Sequence, residues 1–148
     1  MLSIAAKKRR TDAAAGPMYD SLVACDVVSY LLNHVPPGGA DLIVAADVLV
    51  YMRELESLIS AAATSLAPSG LFAFSTERAM PGEVACPPDG NGWLERPSER
   101  MAHLESYVRY LVDATDGLEI VTLDATIIRN DESAPIWGQI CVVRKVAL

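Results

Sequence analysis

The sequence predicts an α/β protein with an open, doubly wound, mostly parallel sheet and an antiparallel last strand. Three observations carry this. Apolar runs that end in an acid are each followed by helical spacing, at "YDSLVACDVVSYLLNHV" and again at "ADLIVAADVLVYMRELESLISAAATSL". A further apolar run, "LFAFSTE", follows the second helix, and two consecutive strand–helix–strand steps call for a parallel sheet. The closing runs "LEIVTLDATIIR" and "IWGQICVVRKV" are joined by "NDESAP" alone, and so short a connection joins antiparallel neighbours.

Taken in order, residues 2–15 are rich in Ala, Lys and Arg and read as a helix ending at Gly16-Pro17. Residues 22–25 form a short continuous apolar run, as in a strand buried on both faces. Val27, Val28, Leu31 and Leu32 then share one helical stripe, which "PPGG" closes. Residues 42–50 are the strongest strand candidate, with Ile43, Val44 and Val48 all β-branched. Over residues 52–66, Leu55, Leu58, Ile59, Ala62 and Leu66 recur at helical spacing, and Pro68-Ser69-Gly70 stops the helix before the next strand. Residues 78–97 hold four prolines and three glycines and read as a long loop. Ser98 is placed to cap a helix with Glu99 in its first turn and Met101, Leu104, Val108 and Leu111 on its buried stripe.

The 148 residues make one domain. Half are apolar and about a fifth charged, the profile of a chain that packs a core. With 12 basic against 19 acidic residues the net charge is −7, which disfavours nucleic acid as the main partner because phosphate counterion release brings no gain. Cys25, Cys86 and Cys141 are odd in number and form no CxxC pair, which suits a reducing compartment and no structural zinc. Cys25 and Cys141 lie in apolar runs and read as small hydrophobes. No run reaches the ~18 apolar residues that span a bilayer. "MLSIAAKKRRTD" places its charges after its apolar residues, the reverse of a signal peptide, so the reading is intracellular and cytoplasmic. The Lys7-Lys8-Arg9-Arg10 run reads as a solvated helix face, set against a nuclear signal or basic patch.

The order of these motifs resembles the later part of a class I S-adenosylmethionine-dependent methyltransferase. "YDSLVACDVVSYL" is similar to the family's third strand, "ADLIVAADVLVYM" to its fourth, and "LAPSGLFAFSTE" to its fifth. "RMAHLESYVRYLVDATDGLEIVTLDATIIR" and "GQICVVRK" are similar to its closing helix and strands. The resemblance implies a Rossmann-like sheet and S-adenosylmethionine as cofactor. The nine glycines include no GxGxG, the family's cofactor loop. The expectation is therefore an incomplete, N-terminally truncated domain over residues 1–148. Its strand at residues 42–50 would present an unpaired apolar edge, open to pairing with another chain, and the strand at 22–25 would lose its only neighbour.

Ligands of such sheets bind beyond the carboxyl ends of the strands. The resemblance implies that Asp26 and the Val27 amide meet the adenine, that small Ala45 and Ala46 allow close approach, and that Asp47 faces the sulfonium. The residue types alone leave Asp26 and Asp47 equally suited to helix capping. Glu77 ends a third strand and also suits a solvated loop. His103 and Tyr107, one turn apart on a helix after the long loop, would share a face near the acceptor. His103 suits a base near neutral pH, set against a lone surface histidine. Tyr51 either faces the acceptor or packs. Trp93 suits a lid anchor and Trp137 strand packing. No metal site or P-loop is present in the pattern. The acceptor is read as a small molecule or a protein. No [DNS]PP[YFW] follows the fourth strand, which argues against DNA bases, whereas "DVLVY" is similar to a lysine-methylating D-x-x-Y one residue too long. The alternative function is a non-catalytic module that pairs with a partner chain.

Overall fold

The computed structural model describes residues 2–8, 17–131 and 134–147. Its elements are α1 (Leu2–Ala5), α2 (Val27–His34), β1 (Ala40–Ala45), a 3₁₀ turn (Leu49–Tyr51), α3 (Glu56–Ser65), β2 (Leu66–Ala79), β3 (Trp93–Glu95), β4 (Met101–Leu104), α4 (Glu105–Asp113), β5 (Leu118–Asp131) and β6 (Ala134–Lys145). They build an open six-stranded sheet around β2. β1 runs parallel to the first half of β2 (Val44 beside Ala73), and β4 runs parallel to its end (Arg78 beside His103). β6 lies antiparallel on the other side of β2, pairing Leu71 with Arg144 through Glu77 with Gly138. β5 follows outside β6, also antiparallel. β1 and β4 thus stand end to end along one edge of β2, and the segment 46–55 crosses between them.

One face of this sheet carries the core. Phe72 and Phe74 of β2 and Cys141 and Val143 of β6 pack beneath the apolar stripes of α3 and α4. The helical spacing read in the sequence accounts for α3: Leu55, Leu58, Ile59, Ala62 and Leu66 are all buried. Each such leucine side chain withdrawn from water contributes about 1.5–3 kcal/mol. The opposite face leaves Leu42, Val44 and Ile140 exposed.

Several boundaries differ from the sequence reading, each for a physical reason. Residues 22–25 form no strand; the outer edge of β1 offers them no described neighbour, and Leu22 and Val23 are exposed. Cys25 is likewise exposed, whereas Cys141 is buried. Leu32 lies on the solvent side of α2, and Leu31 alone of its stripe is fully buried. β1 stops at Ala45, because Asp47 adopts a left-handed backbone (φ 56°) that turns the chain into the 3₁₀ turn. Pro68-Ser69-Gly70 lies within β2, where Ser69 (φ 67°) bulges the strand and shifts its register against β1. The helix expected from Ser98 starts only at Glu105. Met101–Leu104 form β4 instead, because the long β2 has an open edge beyond Ala45 that their backbone groups can pair with. The expected helix at residues 2–15 is described only as Leu2–Ala5, and the rest of it, with Arg9 and Arg10, lies outside the described residues. Among the described residues no helix is long and apolar enough to cross a membrane.

Candidate functional site

The carboxyl ends of β1 and β2 bring one group of polar side chains together. Asp47 follows β1, and its amide N–H donates to Ser75 Oγ of β2 at 3.1 Å, which ties the two strand ends to each other. The Asp47 carboxylate is largely exposed and accepts from Arg100. The same guanidinium donates from Nε to Glu77 Oε1 at 2.8 Å and from Nη1 to the Tyr51 hydroxyl at 3.2 Å, and it lies 5.2 Å over the Tyr51 ring. Glu77 is buried, not solvated, and takes a second ion pair from Arg129 at 3.0 Å. Burying a carboxylate is costly unless its charge is matched, and two arginines match it here.

Arg100 is the residue that the sequence reading missed. It lies in "RPSERM", 53 residues from Asp47, and nothing in local spacing joins the two. The signal available was indirect: two acids at neighbouring strand ends need a cation close by.

Asp26 stands as the N-cap of α2, accepting from the Ser29 N–H at 2.9 Å. That bond, with further help from the amides of Val27 and Val28, holds its carboxyl below the usual range. Val27 is partly buried in the first turn of α2, Ala45 is buried at the end of β1, and Ala46 is exposed beside Asp47.

His103 is placed differently from either sequence reading. It sits in β4 and is wholly buried, with Nε2 3.0 Å from the Arg53 carbonyl. The carbonyl can only accept, so Nε2 carries the proton. Nδ1 has no hydrogen-bond partner, and burial holds the ring's pKa below its ordinary value. Tyr107 is on α4, not on the same element, yet the two rings stack at 6.0 Å. Its hydroxyl accepts from the Leu55 N–H at 3.1 Å and donates to Glu56 at 3.0 Å. The pair fastens β4 and α4 to the segment 53–56, with both rings inside the core. Trp93 packs in the same region with Arg53 over its ring, while Trp137 on β6 is exposed.

A cavity of about 510 Å³ opens beside Asp47, with Val44, Ala46, Ser75, Ile127 and Ile140 among its walls. Its lining is mostly apolar with a few polar groups, the make-up of a small-molecule pocket. Among the described residues no cluster of His, Cys, Asp and Glu could hold a metal.

No protein-family model matches the sequence, and no curated protein sequence matches it either. Solved structures do. A SAM-dependent methyltransferase from Methanosarcina mazei superposes with a TM-score of 0.68 at 15% identity, over 99% of this chain and 76% of that one. The fold is Rossmann-like and class I methyltransferase-like. The 1,6-didemethyltoxoflavin-N1-methyltransferase of Burkholderia thailandensis, crystallised with 1,6-didemethyltoxoflavin and S-adenosylhomocysteine, matches at TM-score 0.60 and 16% identity, over 84% of this chain and 50% of that one. The [4+2]-cyclase SpnF matches at TM-score 0.62 and 14% identity, over 85% and 56%. The chain therefore spans from half to about three quarters of the length of these class I methyltransferase-like structures. The fold alone does not fix the reaction, since one of them is named a cyclase.

Proposed function

We propose that this chain carries the acceptor side and part of the cofactor wall of an S-adenosylmethionine-dependent methyltransferase acting on a small molecule. The observation that carries this reading is the tip of β1. Exposed Ala46 and Asp47, fixed by Ser75, stand at the carboxyl edge of a methyltransferase-like sheet and border an apolar cavity. Ligands of such sheets bind at that edge.

The residues present fit one end of the cofactor. An exposed carboxylate suits a sulfonium, and the unbranched side chain of Ala46 leaves room for close approach. Asp26 and the Val27 amide are assigned to the adenine on the resemblance. No GxGxG loop stands anywhere in the 148 residues to hold the rest. The cofactor supplies an activated methyl group for displacement by a lone pair of the acceptor. The chain's part is alignment: Val44, Ile127 and Ile140 give the acceptor an apolar, exposed wall beside Asp47. Arg100 balances Asp47, which matters because a carboxylate that favours the cation too strongly would resist its neutralisation in the transition state. Tyr51 is exposed beside Arg100 and is assigned to the acceptor's side. His103 is given no chemical step, since its ring is enclosed by the core.

The test is a titration of the ¹⁵N-labelled chain with S-adenosylhomocysteine, followed at the Ala46 and Asp47 amides. With one wall in place the expected dissociation constant is on the order of 0.1–1 mM. Asp47→Ala should weaken S-adenosylmethionine more than S-adenosylhomocysteine, because only the former carries the sulfonium charge. A response that never saturates at millimolar ligand sinks the reading.

A further inference from the structure

A second cavity, of about 410 Å³, lies around the end of β2. Arg78, Arg96 and Arg129 are among its lining residues with one acidic residue, Glu77, in a chain whose net charge is −7. Each of these arginine side chains is about a quarter exposed. Trp137 of β6, 53% exposed, forms another wall, and Ser98 of the β3–β4 connection adds a hydroxyl.

Arg78 and Arg96 have carboxylate partners outside the cavity lining, whereas Arg129 pairs with Glu77 within it. Arg78 donates from one Nη to Glu105 at 2.9 Å, and its Nε is buried with no hydrogen-bond partner. Arg96 donates to both oxygens of Glu83, at 2.7 and 2.9 Å, and to the Arg78 carbonyl at 3.1 Å. Guanidinium carries five N–H donors in a flat fork that matches a carboxylate, so arginines fixed in this way keep donors to offer. An exposed indole beside them offers a flat ring a stacking surface. Arg129 and Glu77 also join this cavity to the strand-end site, since Arg129 lines both cavities and Glu77 pairs with Arg100.

We propose that this cavity binds a planar aromatic carboxylate, stacked on Trp137 with its anionic end toward Arg78 and Arg96, and that this is the end by which the methyl acceptor is held. A singly charged carboxylate fits better than a phosphate, because the surrounding net negative charge penalises a dianion more. Only the word acceptor rests on the methyltransferase reading; the binding site does not.

The experiment titrates the ¹⁵N-labelled chain at low salt with benzoate, benzyl alcohol and inorganic phosphate, following the two indole N–H signals. Trp137→Phe assigns them. Benzoate should shift the Trp137 signal saturably, with a dissociation constant on the order of 1 mM. Benzyl alcohol and phosphate should bind at least tenfold more weakly. Arg78→Gln and Arg96→Gln should each weaken benzoate at least fivefold, and Arg96→Lys, which keeps the charge toward Glu83, should weaken it less. Equal binding of benzyl alcohol would make the cavity merely apolar, and equal binding of phosphate would make it a bare anion hole. Either result, or no saturable shift at Trp137, overturns the proposal. Benzoate binding in a sample that never responds to S-adenosylhomocysteine would keep the site and remove the methyltransferase reading.

Discussion

His103 donates through Nε2 to the Arg53 carbonyl and keeps Nδ1 unpartnered in the core, so it is neutral where it sits. Burial holds its pKa below the ordinary value. An unfolded chain therefore takes up the proton first, and folding stability should fall as pH drops below about 6.5, the ordinary histidine value. The slope contributed is at most about 1.4 kcal/mol per pH unit. Urea midpoints at pH 7.5, 6.5 and 5.5 check this: the wild type should lose stability toward acid, and His103→Leu should lose clearly less over the same interval. Parallel slopes for the two proteins would mean that the ring is already protonated or already wet. Glu83 provides a contrast at the same scale. Arg96, with the Met80 amide, holds its carboxyl at about 2, so it stays ionised throughout this interval and cannot be the source of the slope.

At the scale of elements, the least legible segment was the one from residue 78 to residue 104. Its prolines and glycines announce a loop, and most of it is one. What they conceal is that Gly92 brings the chain back into the core: at φ 76° it passes so close to Tyr107 that an added Cβ would lie 2.5 Å from the ring. Its carbonyl accepts from the Leu104 N–H, which starts the β3–β4 pair. Gly92→Ala should therefore cost about 1–3 kcal/mol by overpacking, besides backbone strain. Gly82→Ala, at φ 93° with open space around it, should cost only the strain, about 1–2 kcal/mol. Chemical denaturation of both variants separates the cases, and equal losses would mean that Gly92 is not a packing point. By contrast α3, β2 and the β5–β6 hairpin were readable, because their periodicity is set by local burial on one face. β4 was not: Met101 and Leu104 are buried in a strand as fully as in the expected helix, and the choice between the two is made by the free edge of β2, far away in sequence. The candidate site divides in the same way. Asp47 is legible because it ends an apolar run; Arg100 is not, because only the folded chain brings it there.

Among the described residues, the molecule as a whole is built on a sheet that is covered on one side. Parallel strands are ordinarily buried on both faces. Here, among the described residues, β1 pairs only with β2, and it carries Leu42 and Val44, each about 60% exposed, on the face opposite the helices. An apolar strand with an unpaired edge is a template for another strand, whether of a second copy or of a longer chain. The expectation is that this chain, studied alone, associates as its concentration rises. Sedimentation velocity across a hundredfold range of concentration checks it. Val44→Lys should shift the distribution toward monomer, since a charge at an open edge opposes strand addition, while leaving the melting temperature within a few degrees because Val44 contributes little to the core. Val121 of β5, also exposed, supplies the control: Val121→Lys alters a surface residue of the opposite edge strand and should leave association through β1 intact. Association lost equally in both variants would point to general hydrophobic contact and away from β1. A monomer at every concentration would mean that the exposed face is stable in water as it stands.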